Sequence, residues 1–276
     1  MNAEEIAQVV SLVRARAGLK LAPDKTYVME SRLAPVARRE GYDSISALLE
    51  AIRARREDPL IWAAVEALAG GETAFFRDRE PFALFRDEIV PQLARLRAGK
   101  PIKVWSAACA TGQEIYSLSM ILGELLEAEP TLKVELAASD LSRHALERAQ
   151  SGLYNQFEIQ RGLPIRLLAR HFEKEGEQWR LSQAVRQRVR WRRINLIAGL
   201  RQIGAFDVVF CRYVLCHMTE DAQRKVVEDL AVIVPPDGFL VTGVNETIAS
   251  LADAFRAVPG RAGVYRRNPA WRAAAA

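Results

Sequence analysis

The sequence predicts an α/β protein with a small all-helical domain in front of it, and three observations lead there. Residues 2–68 read as helices only, in short runs with apolar residues at helical spacing. The stretch 103–116, KVWSAACATGQEIY, reads as a short buried strand, a run of small residues and a helix start. The units that follow alternate strand and helix, the pattern of a parallel sheet.

Each element can be justified in order. Ile6, Val9, Val10, Leu12 and Val13 form one apolar helix face. Pro23-Asp24 can start a second helix with Tyr27, Val28, Arg32 and Leu33. Asp43-Ser44 precedes a third (Ile45, Leu48, Leu49, Ile52), and Asp58-Pro59 a fourth (Ile61, Trp62, Val65, Leu68). Aspartate or serine before each apolar run is the expected capping signal. The bundle holds basic clusters: Arg14, Arg16 and Lys20; Arg32, Arg38 and Arg39; Arg53, Arg55 and Arg56. They read either as solvated helix faces or as a docking face for an acidic partner. Domain boundaries are expected at 1–69 for the helical part, 70–100 for a linker and helix, and 101–276 for the α/β part.

Gly70-Gly71 breaks the helical run, and GGETAFFRDREPF follows, with Phe75, Phe76 and Phe82 as candidate packing residues. One helix is expected over Phe82–Arg97. In the first βα unit, Ser106, Ala107, Ala108, Ala110 and Gly112 carry almost no side chain, so a ligand can lie close to the backbone. The turn lacks G-x-G-x-x-G and G-x-x-x-x-G-K-[ST], and Glu114 in the first helical turn would repel a pyrophosphate. It suits a ligand with hydroxyls and positive charge, such as S-adenosylmethionine. The second strand, Leu132–Ala138, ends at Asp140, about 25–30 residues past the turn, where doubly wound sites hold ribose hydroxyls. Asp140 also reads as a helix cap for 142–150, and both roles can hold.

Residues 151–187 give weaker signals: a helix over Leu163–Phe172 and a hairpin strand over Gln178–Leu181. Val189–Leu196 reads as a strand ending in Asn195-Leu196. Phe206–Cys211 is an apolar run save for Asp207, hence a central strand, and Arg212-Tyr213 stands at its carboxyl end, where ligands bind in open α/β sheets. A helix over Thr219–Val234, strands over Phe239–Val244 and Val264–Arg267, and a frayed Ala-rich tail after Arg272 complete the chain.

Composition narrows the class. The chain has 276 residues, 50% of them hydrophobic, a formal net charge of +5 and three cysteines, Cys109, Cys211 and Cys216, at irregular spacing. No disulfide framework or zinc pattern follows, and His144, His171 and His217 show no ligand spacing, so no metal is expected. No apolar run is long enough to span a bilayer and no leader is evident, so a cytoplasmic protein without membrane insertion is expected. A nucleic-acid methyltransferase is disfavoured. The place of the (N/D)-P-P-(Y/F) run reads Cys211-Arg212-Tyr213-Val214, and no aromatic platform interleaves with the basic residues.

Taken in order, ETAFFRD, WSAACATGQEIYSL, ASDLS, SGLYN, FDVVFCRYVL and PPDGFLVTGVNE resemble the chemotaxis receptor glutamate methyltransferases, the CheR family, over nearly the whole chain. The resemblance implies a helical domain on a Rossmann-like S-adenosylmethionine-dependent domain with a small β-subdomain near 172–188. It also implies methyl transfer to glutamates on the cytoplasmic helices of chemotaxis receptors, by a monomer. By position, it implies cofactor contacts from Gly71, Thr73, Arg77, Glu114, Asp140, Asn195, Leu196, Arg212 and Tyr213. Arg77 and Tyr213 become candidates to hold the incoming carboxylate, and Arg32, Arg38 and Arg39 to meet the receptor. The chain departs from the family pattern at Gly71 (usually asparagine), Gln113 (glutamate), Ile115 (proline), Tyr213 (asparagine), Cys216-His217-Met218 (isoleucine-tyrosine-phenylalanine) and Asn245 (serine). A degenerate binding module is the alternative that these departures raise. The stretch matching the family's receptor-tail tether, Phe172–Leu181, is short with one glycine, so no strong tether is expected.

Overall fold

A computed structural model describes residues 1–54, 59–248 and 253–272. Asp58, Arg55, Arg56 and the tail after Arg272 therefore lie outside the described residues. Four helices open the chain: α1 (Ala3–Ala17), α2 (Thr26–Arg39), α3 (Ile45–Ala54) and α4 (Pro59–Ala69). They bury Val9, Val13, Met29, Leu33, Leu48, Leu49, Ala64 and Val65 in a core of their own. Asn2 and Glu5 form a reciprocal capping box on α1, and Ser44 Oγ accepts the Ala47 N–H before α3. The second helix departs from expectation. Its first turn follows Lys25, which makes no side-chain cap, so Asp24 does not start it.

The helix expected over Phe82–Arg97 is α5 (Glu80–Leu84), a π turn (Phe85–Ile89) and α6 (Val90–Arg97). The Val90 N–H bonds back to Phe85 O, five residues earlier, just before Pro91, which has no N–H to donate. The sheet then runs through β1 (Ile102–Ala107), α7 (Gln113–Ala128), β2 (Val134–Asp140) and α8 (Arg143–Ser151). A satellite follows: β3 (Leu153–Asn155), α9 (Gln156–Gln160), α10 (Ile165–His171), β4 (Phe172–Glu175), β5 (Gln178–Leu181) and α11 (Gln183–Arg186). The chain returns through β6 (Val189–Arg193), β7 (Val208–Phe210), α12 (Glu220–Ile233), β8 (Phe239–Val241), β9 (Phe255–Ala257) and β10 (Val264–Arg267).

The seven-stranded sheet has the order β6-β2-β1-β7-β8-β10-β9. Its first five strands are parallel, and β10 runs antiparallel to β8 and to β9. The chain winds outward from β1 in one direction and then, from β7, in the other. The switch falls between β1 and β7, and ligands bind outside the strand ends at such a point. Val208, Val209 and Phe210 are fully buried, as a central strand requires. The satellite sheet, β3-β5-β4, includes Leu153–Asn155, so it reaches further back than residues 172–188. A three-residue strand gives no readable alternation, which is why this one was not legible.

Candidate functional site

The site begins with the turn after β1. Ala108, Ala110 and Gly112 all have positive φ (55°, 49° and 93°). For the alanines this is strained, and such residues persist only where surrounding contacts over-determine them. Here the contacts are the Cys109 N–H to Ser139 O, the Ala110 N–H to Asp140 Oδ2 at 2.8 Å and the Tyr154 hydroxyl to Thr111 O. Gly112 is required twice over: a Cβ there would lie 2.9 Å from Ala149 Cβ and 3.2 Å from the Tyr116 ring.

Two acidic residues flank this turn. Asp140 accepts from Ala110 N with one oxygen and from Ser142 N with the other, so it shapes the turn and opens the loop before α8. Burial pushes its carboxyl above the usual range, opposed by the Ser142 and Ala110 N–H groups. Glu114 is 8% exposed and accepts from Ser106 Oγ (2.8 Å) and Arg212 Nη1 (3.1 Å).

A second cluster stands beyond Glu114. The Arg212 side chain is 1% exposed and also donates to Asp78 Oδ2 at 2.6 Å and to Arg77 O at 2.8 Å. The Tyr213 hydroxyl donates to the same Asp78 oxygen, and the Arg77 guanidinium lies 3.6 Å above the Tyr213 ring centre. Phe76, Asp78, Arg79 and Tyr213 all have positive φ. Among the described residues Ala98 also has a positive φ, away from the cavity, where it ends α6.

The helical domain roofs the space between these clusters. Glu66 on α4 accepts from Arg193 Nη2 and from the Arg143 N–H, both at 2.8 Å. Arg193 also donates to Leu141 O and lies 5.5 Å from the Trp62 ring centre. Further along the seam the Lys20 N–H meets His217 O and the Thr219 N–H meets Gly18 O. The open cleft beneath the helical domain measures about 1220 Å³. Gly71, Thr73, Arg77, Glu114, Asp140, Asn195, Leu196, Arg212 and Tyr213 all line it, so nine residues spread over the sequence converge.

Their roles within the fold differ from one another. Asn195 spends its amide on Arg16 O (2.6 Å) and accepts the Ile197 N–H, so it joins the loop after β6 to the end of α1. A side chain at Gly71 would meet only Ala110 Cβ, at 3.9 Å, so nothing in the fold demands glycine there. Arg32 does not stand free: it donates to Leu68 O at 2.6 Å and caps the end of α4. Arg38 is exposed, and Arg39 is exposed at the cavity margin beside Glu40. Sequence reasoning gave no role to Asp78, Glu66, Arg193 or Glu246. Asp78 and Glu246 sit inside motifs singled out above; the other two had no readable signal, because the residues they meet are distant in the chain.

The lining fits S-adenosylmethionine. Two carboxylates face a ligand with an amine, hydroxyls and a sulfonium, and the small-residue turn permits close approach. Among the described residues no group of histidine, cysteine and acidic side chains could hold a metal, and no helix is long and apolar enough to cross a membrane. Cys109 and Cys211 are buried, and Cys216 is exposed.

Comparison with known proteins agrees with this geometry. Residues 71–264 match the CheR methyltransferase SAM-binding domain, and residues 4–68 match the CheR methyltransferase all-alpha domain. The chain is 34% identical to "Chemotaxis protein methyltransferase 1" of Pseudomonas aeruginosa over 91% of its own length and 92% of that protein's. It is 32% identical to the Vibrio cholerae protein of the same name (95% of each chain) and 31% identical to "Chemotaxis protein methyltransferase" of Escherichia coli (90% and 86%). A nucleotide-type switch point, a turn built for a cationic ligand rather than a phosphate and these matches over both domains lead to one conclusion: the chain belongs to the CheR methyltransferase family, and its cofactor is S-adenosylmethionine.

Proposed function

We propose that this chain methylates glutamate side chains on the cytoplasmic helices of chemotaxis receptors, as a monomeric cytoplasmic enzyme. The observation that carries this reading is the mouth of the cavity. An arginine stacked on a tyrosine (Arg77 on Tyr213) stands beside an acid-lined cofactor cavity, in a chain whose relatives are named chemotaxis protein methyltransferases. When bound, S-adenosylmethionine would supply a methyl on a sulfonium, which a carboxylate oxygen could take as the neutral thioether leaves, with no proton to be moved by the protein.

A glutamate, with a reference pKa of about 4.3, is already a nucleophile at neutral pH, so the protein needs no general base. Its contribution is positioning and exclusion of water, because charge is neutralised along the reaction and water favours the separated ions. Glu114 and Asp140 would hold the amine and ribose of the cofactor, and Asn195 and Leu196 would meet its adenine. Arg212 ties Glu114 to the Asp78 turn. Arg77 orients the incoming carboxylate by charge-assisted hydrogen bonds, and Tyr213, its hydroxyl already given to Asp78, holds that guanidinium in place with its ring, so the carboxylate is steered rather than buried in an ion pair. The test is incubation with tritiated S-adenosylmethionine and receptor-containing membranes. Base-labile label on the receptor, released as methanol, is the expected result; label absent, or stable to base, discards the glutamate ester.

The docking face is Arg38 and Arg39; Arg32, grouped with them from the sequence, is engaged at the end of α4. Arginine suits carboxylates because its fork can bond both oxygens. Arg38→Glu is expected to raise the receptor KM about twofold or more at low salt and less at moderate salt, with cofactor affinity unchanged; Arg39 is kept because it lines the cofactor cavity. Arg32 is left alone because its loss would also uncap α4. An unchanged KM at both salt concentrations would return Arg38 to solvating the bundle surface.

No strong receptor-tail tether is expected. Only Gly176 and Glu177 separate β4 from β5, with Gly176 at φ 59°, so the satellite hairpin ends in a tight turn rather than an extended loop. Calorimetric titration with a free receptor-tail peptide should show no tight binding; saturable heat at micromolar concentrations would contradict this.

A further inference from the structure

Tyr213 is held in a conformation its own chemistry disfavours. It has a β-carbon and yet sits at φ 57°, immediately after a buried arginine at the end of β7. Two carboxylates hold it. Asp78 takes its hydroxyl, as described above. At the other end, Glu246 Oε2 accepts the Tyr213 N–H at 2.6 Å and the Gly243 N–H at 2.8 Å, while its Oε1 accepts the Cys216 N–H at 3.3 Å. One side chain thus gathers three backbone donors from the turns that follow β7 and β8.

Glu246 is itself fixed from behind. Its N–H bonds to Gly243 O, and its carbonyl accepts from Thr242 Oγ1 and the Tyr265 hydroxyl, both at 3.2 Å. The clamp is therefore referenced to the inner strands β8 and β10 rather than to a free loop. Gly243 completes it. A Cβ at Gly243 would lie 2.6 Å from the Tyr213 ring and 2.9 Å from Glu246 Oε2, so the ring packs directly on backbone.

We infer that Glu246 is a positioning residue for methyl transfer: by binding the Tyr213 N–H it holds that residue's strained backbone and so keeps the phenol under Arg77 at the cavity mouth. The inference rests on the proposed role of Tyr213 at the carboxylate. Glutamine at 246 keeps the shape but presents one acceptor and one donor where three N–H groups converge, so one backbone donor meets another.

Two readouts test it. The first needs no receptor: nitration by tetranitromethane, mapped by peptide, with Tyr27 (71% exposed) as internal standard. Glu246→Gln should raise the nitration of Tyr213 relative to Tyr27 about threefold or more, since loss of a backbone anchor frees the ring. The second is receptor methylation by Glu246→Gln, Tyr213→Gly and the double variant. Glu246→Gln should lower turnover about tenfold, and adding it to Tyr213→Gly should lower turnover less than about twofold further, because glycine tolerates the positive φ and has no ring to place. Unchanged nitration, unchanged turnover or full multiplication of the two effects would each overturn the role. Should Glu246→Gln fail to melt cooperatively, Glu246→Asp, which keeps the charge one methylene short, takes its place in both. If the unmodified chain methylates no receptor, the substrate reading has failed, and nitration alone decides for Glu246.

Discussion

Arg212→Met is expected to destabilise the protein by about 3–5 kcal/mol, the largest effect of any single change in the site. The side chain is 1% exposed and lies between Glu114 and Asp78, whose side chains are only 11% and 23% exposed. Methionine fills much of the volume but leaves both carboxylates facing each other without their cation. Breaking such an arrangement costs more than the net worth of the pair, because desolvated charge is left behind. The Arg77 carbonyl loses a donor as well. For a chain of this size the loss corresponds to a fall in melting temperature of roughly 6–20 °C. Cofactor affinity should fall with it, since Glu114 would no longer be held. A melting shift under about 2 °C with S-adenosylhomocysteine affinity retained would show that Arg212 is dispensable to both.

Asp140→Ala is expected to weaken S-adenosylhomocysteine binding by about 1–3 kcal/mol, or roughly 5- to 150-fold. Two effects add. The ribose would lose the acceptor proposed for it, and the Ala110 and Ser142 N–H groups lose theirs, which loosens the strained turn. Stability should respond differently. Burial raises the folded-state pKa of Asp140, so the folded chain holds its proton to higher pH than the unfolded chain does. Its charged form therefore opposes folding, and the penalty grows as pH rises through the folded pKa. Removing the carboxylate should accordingly reduce the decline in stability on the rising side of that range, even as cofactor affinity drops. Calorimetry at neutral pH and thermal melts from pH 4 to 7 separate the two. Unchanged cofactor affinity with the fold intact would remove Asp140 from the site.

Much of the architecture was legible because it depends on local pattern. The four opening helices follow from spacing at Val9, Val13, Leu33, Leu48 and Val65, all of which are buried. The central strand followed from the apolar residues Val208–Cys211, since a strand covered on both faces has no polar side to alternate with. The misread elements have equally local reasons. Pro91 turned one expected helix into two with a π turn between them, and Leu153–Asn155 was too short to show a period. Asp24 looked like a cap, but the helix starts after Lys25.

Residue order alone carries the helical and α/β parts, the small-residue turn at Ala108–Gly112, and the acidic residues Glu114 and Asp140 that line the cavity. These depend on side-chain period, side-chain size and charge sign, which the order of residues carries directly. Only the tertiary structure decided which partners those residues take. Arg212 reaches Glu114 across 98 positions and Asp78 across 134, and Arg193 reaches Glu66 across 127. Such pairs form because the sheet sets β7 beside β1 and the helical domain folds back over the strand ends, so strand order, not sequence spacing, selects them. The same holds for Arg32, which looked like a free cation on a helix and caps its neighbour instead. A charge is visible in a sequence, but the group that desolvates or neutralises it arrives from elsewhere in the chain.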